Sequence, residues 1–370
     1  MIRRLAPFAF VAALACGVVA QQSAPAPAAA LPDSLTDEEF WRLTEDFSEA
    51  NGYFNSDNLL SNETTFQYVI PRLIATVKPG TAYLGVGPEQ NFPYMIATRP
   101  AIAFITDIRR GNLQAHLLYK ALFEMSADRA DFLSLLFSRP RPAGLRADTT
   151  VAGLLDAYRN VAPSDAAYQR NFREVKTWLT VRHRFKLHPE DLEGLDYVYA
   201  SFRDGGPLLS YNSARAQSSR YPTYDELQRE TDGEGQTRGY LASEANFQWI
   251  KRFEERNLVV PLVGDFAGPR ALRSVGAYLK QRRATVGAFY TSNVENYLFQ
   301  SGSWGQFARN VATQPLDASS TFIRSCFDRC NDIAAPGSRV VTMLDPIAAL
   351  LRDFNDGRVR SYGQVLTHGR

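Results

Sequence analysis

The stretch 81–125 constrains the fold of this chain more than any other. Residues 81–87 (TAYLGVG) form an apolar run that ends in a glycine turn, and residues 88–98 have helical character. Residues 101–108 (AIAFITDI) form a second apolar run, and residues 112–125 repeat apolar side chains at helical spacing. Short connections between such strands and helices predict parallel strands joined by right-handed crossovers. The sequence therefore predicts an α/β fold.

The later part of the chain continues this pattern after an interruption. Residues 127–201 are helical in pattern, and residues 205–239 are polar and loop-like. We interpret 127–240 as an insertion that caps the mouth of the sheet. Further strands are predicted over residues 258–265, 285–290, 320–324 and 339–344. Residues 34–370 are thus expected to form a single domain with a helical insertion.

Residues 1–20 have the composition of a signal peptide. Two arginines precede an uncharged apolar run that is too short for an ordinary membrane-spanning helix, which needs about 20 apolar residues. Residues 21–33 are rich in alanine and proline and predict a disordered tether. We expect an exported protein, periplasmic or secreted, with cleavage before Gln21. The alternatives are a lipid anchor at Cys16 and a mis-assigned start codon, which would leave the chain cytosolic.

Charge and motif content exclude several classes of function. Without Arg3 and Arg4 the chain has 39 basic and 39 acidic side chains, so no nucleic-acid-binding face is expected. No second apolar stretch is long enough to span a membrane. The four histidines have no metal-ligand spacing, and neither a G-x-S-x-G elbow nor a Walker-type lysine loop is present. Cys326 and Cys330 have a spacing compatible with a disulfide, but the sequence leaves their redox state open.

A glycine motif marks the candidate ligand site. Gly85 and Gly87 lie at the turn between the first strand and its helix, where backbone can approach a ligand and unpaired N–H groups are available. Asp107 ends the next strand, twenty positions after Gly87. A carboxylate at that place can accept hydrogen bonds from the ribose hydroxyls of a nucleoside-bearing cofactor. Asp107 could instead cap the next helix or pair with Arg109 or Arg110.

Two later strand ends agree with this interpretation. Asp265 and Phe266 follow a glycine at the end of the third strand and could hydrogen-bond and stack an adenine. The alternative for Asp265 is an N-cap of the following helix. The segment 292–295 (SNVE) follows the fourth strand, at the carboxyl edge of the sheet, where open α/β folds bind ligands.

A polar segment near the N-terminus completes the candidate site. Residues 55–63 contain more hydrogen-bonding side chains than a connecting loop needs, although Asn and Asp are also common turn formers. The substrate-binding candidates in this segment are Asp57, Asn58, Asn62 and Glu63.

The glycine loop, Asp107, the Gly264-Asp265 pair and segment 292–295 follow successive strands in chain order. This order resembles that of class I S-adenosylmethionine-dependent methyltransferases. The segments SDNLLSNE, YLGVGPEQNF, ITDIRRGN, VGDFAGP and SNVENYL also resemble a family of bacterial proteins without an assigned function. The resemblance implies a Rossmann-like, methyltransferase-type fold with a mostly parallel sheet and helices on both faces. It implies S-adenosylmethionine as cofactor. The cofactor-binding residues would be Gly85, Gly87, Asp107, Asp265 and Phe266, and Asn293 and Glu295 would face the reacting centre.

The chain departs from the methyltransferase pattern in two places. Glu89 stands where a third glycine is usual, and Tyr83 stands where an acidic residue is frequent. Glu89 would either crowd the methionine part of the cofactor or act as a catalytic or ligand-binding group. Export is a further difficulty, because the methyl donor is made and kept in the cytoplasm.

Three functions of different classes therefore remain. The first is a methyltransferase-like protein, divergent or inactive, that binds S-adenosylmethionine. The second is an exported protein that binds another nucleoside-like or small polar ligand without chemistry. The third is a periplasmic enzyme with an acidic cluster for acid–base or metal chemistry. The cluster would consist of Glu89, Asp107, Asp265 and Glu295.

Overall fold

The computed structural model describes residues 30–211, 221–327 and 340–368. The predicted signal peptide, residues 21–29 of the predicted tether, and Cys330 lie outside the described residues. Cys326 takes part in a disulfide bond. Among the helices in these ranges, none is long and apolar enough to cross a membrane.

Six strands form one mixed sheet in the order β3-β2-β1-β4-β5-β6. Strands β1 to β5 pair in parallel, and β6 pairs with β5 in the antiparallel direction. The predicted α/β class and mostly parallel sheet are confirmed. The first three strands are buried along their whole length, as their continuous apolar sequences require. The strands are β1 Ala82–Gly85, β2 Ile102–Asp107, β3 Val259–Val263, β4 Val286–Ser292, β5 Thr321–Phe327 and β6 Val340–Pro346.

Helices pack on this sheet in two groups. In one group, α3 contacts β1 and β4, α4 contacts β2 and β3, and α10 packs on α3 and α4; in the other, α1 contacts β3, α11 contacts β2, and α13 packs on α11. This is the arrangement expected for helices on both faces of a sheet. The helices are α1 Asp37–Phe47, α2 Ile70–Thr76, α3 Asn91–Thr98, α4 Arg110–Met125, α5 Arg129–Phe137, α6 Val151–Arg159, α7 Asp165–Thr177, α8 Pro189–Gly205, α9 Tyr224–Arg229, α10 Glu244–Glu255, α11 Ala271–Gln281, α12 Val294–Gln300, α13 Trp304–Ala312, α14 Ile347–Asn355 and α15 Tyr362–Thr367.

Local sequence signals explain several helix boundaries. Thr36 and Glu39 form the capping box that begins α1, with hydrogen bonds of 3.0 and 3.1 Å. Helix α2 begins only at Ile70, so Pro71 lies in its first turn and does not kink a longer helix. Helix α3 begins at Asn91, three residues after the predicted start, because the glycine loop extends into residues 88–90.

The inserted segment contains α5 to α9 and contributes no strand to the sheet. Its helix α8 packs against α4, α5 and α7. Polar contacts hold the segment to α4, including the ion pair of Arg110 Nε with Asp191 at 2.5 Å and the hydrogen bond between His183 Nε2 and Glu124 at 2.6 Å. Of its described residues only Tyr211 lines the cavity described below. The described part of the insertion therefore packs beside α4 and contributes one side chain to the cavity, and the cap over the sheet stays a prediction.

Candidate ligand-binding site

A cavity of about 390 Å³ opens at the carboxyl ends of β1, β2, β3 and β4. Its volume lies in the range of about 300–1,000 Å³ that is usual for small-molecule sites. The wall is formed by the loops that follow these four strands, together with segment 53–63. Polar and glycine residues of the wall include Asn58, Ser61, Asn62, Glu63, Gly87, Asp107, Arg109, Gly264, Asp265, Ser292 and Asn293.

The two glycines of the motif have different roles. Gly87 has φ +73° and lines the cavity, and an added Cβ would have no atom within 4 Å. Only glycine adopts this conformation without strain. Because no atom lies where a side chain would be, the loop is open toward the cavity. At Gly85 an added Cβ would lie 2.0 Å from Asn91 Oδ1. Gly85 thus does not reach the cavity and instead makes room for the Asn91 side chain.

Asn91 holds the glycine loop in place. Its Nδ2 shares two N–H donors among three carbonyls, those of Val86, Pro88 and Gly87, at 2.9, 2.7 and 3.0 Å. On the opposite side of the loop, His116 Nε2 lies 2.9 Å from the Gly87 carbonyl. Because a carbonyl only accepts, Nε2 carries the proton, and burial lowers the pKa of His116 to about 4. The loop is therefore preorganised by two buried side chains that no sequence motif indicates.

Asp107 lies in the cavity wall and pairs with Arg109. The Arg109 backbone N–H donates to Asp107 Oδ1 at 2.9 Å, and Arg109 Nε lies 3.3 Å from the same oxygen. Arg109 also donates to the backbone carbonyl of Asp57, which joins the polar segment to β2. The sequence did not decide whether Asp107 pairs with Arg109 or with Arg110. In the structure its partner is Arg109. Contact between Asp107 and a nucleoside remains a prediction.

Asp265 does not cap α11. Its Oδ1 accepts from the backbone N–H of Ala267 at 2.8 Å, which closes a local turn. The first turn of α11 is capped by Glu49, whose Oε1 accepts from the backbone N–H groups of Arg270 and Ala271 at 2.8 Å each. The proposed N-cap alternative for Asp265 is therefore wrong, and its side chain remains in the cavity wall.

Phe266 also lines the cavity, and it is almost fully buried. Its ring packs edge-on against Phe289 at 5.0 Å and stacks with Phe307 at 5.7 Å. These contacts fix the ring orientation.

Glu63 is the centre of a buried hydrogen-bond network at the cavity wall. Its Oε1 accepts from Tyr290 Oη at 2.9 Å and from Ser292 Oγ at 2.5 Å. Its Oε2 accepts from Gln90 Nε2 at 2.6 Å and from Ser325 Oγ. Burial raises the pKa of Glu63, and the four hydrogen bonds oppose this rise. The carboxyl therefore ties segment 53–63 to α3, β4 and β5.

Two residues of the same wall have a strained backbone. Ser292 has φ +50° and Asn58 has φ +46°, and both line the cavity. Non-glycine residues in this conformation cost roughly 1–3 kcal/mol and are typical of functional sites. The register of β4 with β5 also shifts between Tyr290 and Ser292. The Glu63 network holds this irregular strand end in place.

The structure brings most, but not all, of the predicted site residues together. The predicted residues in the cavity wall are Asn58, Asn62, Glu63, Gly87, Asp107, Asp265, Phe266 and Asn293. The predicted residues outside the wall are Asp57, Gly85, Glu89 and Glu295. The four acidic residues of the predicted cluster therefore do not converge, and only two of them face the cavity. Within residues 30–211, 221–327 and 340–368, no group of three His, Cys, Asp or Glu side chains could hold a metal ion.

Glu295 is occupied in a buried ionic network away from the cavity. It contacts Arg324 and accepts from Trp304 Nε1 at 3.1 Å. Arg324 also pairs with Asp345, which joins β5 to β6. Glu295 therefore stabilises the packing of α12 on the sheet, in place of the catalytic role predicted for it.

Glu89 is buried beneath the glycine loop. Its Oε1 accepts from the Ser61 backbone N–H at 3.4 Å, and it makes no ion pair with any described residue. Burial raises the pKa of Glu89 to about 7. Because the side chain lies outside the cavity wall, it does not obstruct a ligand at Gly87.

We expect Glu89→Gln to flatten the pH dependence of stability. An unfolded glutamate titrates near about 4.3, so between there and about 7 the folded chain holds a proton that the unfolded chain has lost. Stability therefore falls as pH rises through this window, by at most about 1.4 kcal/mol per pH unit. In urea unfolding from pH 5 to 8, the free energy of unfolding of the variant should rise relative to that of the wild type. Glu193→Gln at an exposed site is the control, and parallel curves for Glu89→Gln and wild type would contradict the assignment.

Residues 59–364 match a family model described as Domain of unknown function (DUF7790). The chain belongs to the DUF7790 family. The match contains all six strands and the whole cavity wall except Tyr53, Phe54 and Asn58. It agrees with the resemblance to a family without an assigned function, and it lends no support to a methyltransferase family. No curated protein matches this DUF7790 chain.

Proposed function

We propose that this protein binds a nucleoside-type ligand in the cavity and is a divergent, S-adenosylmethionine-dependent methyltransferase-like protein with a Rossmann-like sheet. The observation that carries the proposal is the position of Gly87, Asp107 and Asp265. They lie in the wall of one cavity, at the ends of three adjacent parallel strands. In an open α/β sheet with the order 3-2-1-4, the ligand crevice lies where the strand order reverses, between β1 and β4.

The residues present fit such a ligand. The open conformation at Gly87 leaves room for close approach of a ligand to backbone. Asp265 Oδ2 accepts no hydrogen bond from any described residue, so it can accept one from an exocyclic amino group. Asp107 would accept from ribose hydroxyls, and Phe266 offers an apolar surface beside the base. When bound, S-adenosylmethionine would supply a methyl group, and Ser292 and Asn293 would orient the acceptor.

A binding protein without chemistry is the second candidate. Glu295 is committed to Arg324, so only Asn293 of the residues proposed to face the reacting centre lies at the cavity. Export, which we still predict from residues 1–20, would separate the protein from the methyl donor. Both points favour a site that binds a ligand and does not catalyse a reaction. An enzyme with a four-carboxylate cluster is not supported, because Glu89 and Glu295 lie outside the cavity wall.

Isothermal titration of the protein with S-adenosylmethionine, S-adenosylhomocysteine and adenosine tests the proposed function. We expect saturable binding that Asp107→Asn weakens by about tenfold or more, since a hydrogen bond to a charged group contributes about 1.5–3 kcal/mol. The asparagine keeps the shape of the side chain beside Arg109. Asp317→Asn is the matched control, because Asp317 pairs with Lys78 at the opposite edge of the sheet. No binding at millimolar ligand, or equal affinity in Asp107→Asn, would contradict the proposal.

A further inference from the structure

The cavity wall carries more negative than positive side chains. Glu63, Asp107 and Asp265 contribute carboxyl groups, and Arg109 contributes the one cation in the described part of the wall. The charge of Arg109 is directed at Asp107, and these two side chains are only 11% and 5% exposed. Neither Glu63 nor Asp265 has an ion-pair partner among the described residues. Asp265 thus presents a carboxyl group to the cavity without a compensating cation, whereas both oxygens of Glu63 are occupied by the four hydrogen bonds described above.

Aromatic rings form part of the wall on the side of β4 and segment 53–63. Tyr53 is 84% exposed at the rim, and Phe54 packs edge-on against Tyr297 at 5.2 Å. Tyr211 and Tyr290 complete the set. An exposed apolar surface at the rim of a groove is typical of ligand-binding sites. The faces of such rings attract cations, most strongly where water is excluded.

We propose that the cavity selects cationic ligands, with a quaternary ammonium, sulfonium or protonated amino group, and excludes phosphorylated ones. The inference rests on the proposed function only in using the same cavity, and it adds the charge class of the ligand. A cation would gain attraction from the uncompensated carboxyl group of Asp265 and from the aromatic rings of the wall. A phosphate would meet the same carboxyl group without a free lysine or arginine in the described wall.

Binding measurements with ligand pairs matched in shape test this selection. Choline is compared with its neutral carbon isostere 3,3-dimethylbutan-1-ol, S-adenosylmethionine with S-adenosylhomocysteine, and adenosine with its 5′-monophosphate. We expect the cation of each of the first two pairs to bind about tenfold more tightly. The monophosphate should bind more weakly than adenosine. Asp265→Asn should reduce these preferences, whereas Asp317→Asn should leave them unchanged.

The outcomes separate this inference from the proposed function. If adenosyl ligands do not bind, but choline binds more tightly than its isostere and Asp265→Asn removes this difference in affinity, the proposed function fails and charge selection stands. If adenosyl ligands bind and neither pair shows a preference for the cation, charge selection fails and the proposed function stands. Equal binding of adenosine and its monophosphate also overturns charge selection. Absence of binding by every probe overturns both.

Discussion

Replacing Arg324 by alanine is expected to lower the free energy of unfolding by about 3–5 kcal/mol, because it leaves buried carboxylates without a counter-charge. Arg324 is only 1% exposed and contacts Glu295 on one side and Asp345 on the other. Asp345 is in turn contacted by His368 Nδ1 at 3.0 Å. The guanidinium therefore connects β5, β6, α12 and the last described residues of the chain. Its loss should loosen this edge of the sheet.

Urea unfolding at neutral pH measures this effect. The control is Arg146→Ala, since Arg146 pairs with Asp148 at 3.1 Å with side chains 77% and 72% exposed. Exposed pairs contribute about 0–1 kcal/mol, so the control should change little. Both variants are compared in non-reducing buffer, because Cys326 in the same strand is disulfide-bonded. A loss below about 1 kcal/mol for Arg324→Ala would contradict the structural role that we assign to the Glu295–Arg324 pair.

Glu63→Ala is expected to have the second largest effect, on stability and on ligand binding together. The substitution removes the acceptor of four hydrogen bonds and leaves buried donors unpaired, each at a cost of about 1–3 kcal/mol where water cannot replace the carboxylate. Because cavity water can reach some donors, we expect a net loss of about 3 kcal/mol. Without Glu63, Ser292 also loses the hydrogen bond that holds its left-handed backbone at the cavity wall.

Two measurements separate these effects. Urea unfolding reports the stability loss, and titration with S-adenosylmethionine below the unfolding transition reports binding by the folded fraction. Glu63→Gln is the matched variant, since it keeps the side-chain shape and one acceptor oxygen, and it should lie between wild type and Glu63→Ala in both measurements. Full stability and full affinity in Glu63→Ala would show that the network is not what shapes the cavity.

The strands could be predicted because their apolar runs are local. Residues 101–108 were expected as a strand and contain β2 Ile102–Asp107, and residues 258–265 contain β3 Val259–Val263. Parallel strands place their carboxyl ends on one edge, so the convergence of Asp107 and Asp265 also followed from the predicted topology. The start of α3 was less accurate, because the turn before it uses the same residue types as a helix start.

The roles of individual polar residues could not be predicted in the same way. Asn91 holds the glycine loop and Glu49 caps α11 from a distant segment, and neither has a local motif. The role of Asn91 could have been predicted, since an amide side chain one turn after a strained glycine loop can reach the carbonyls of that loop. Glu295 follows β4 as the resemblance suggests, but its partner Arg324 lies on a different strand. Such partners are set by packing between segments far apart in sequence.

What the sequence determined by itself is the α/β class, the mostly parallel sheet and the edge at which a ligand site would lie, since hydrophobic periodicity and strand-end residues are local properties. The tertiary structure decided which of the candidate residues face the cavity. It turned Glu89 and Glu295 into the protein interior, paired Asp107 with Arg109, and made Glu63 the centre of a buried network. The physical reason is that the burial and partners of a carboxylate depend on side chains brought together only when the chain folds.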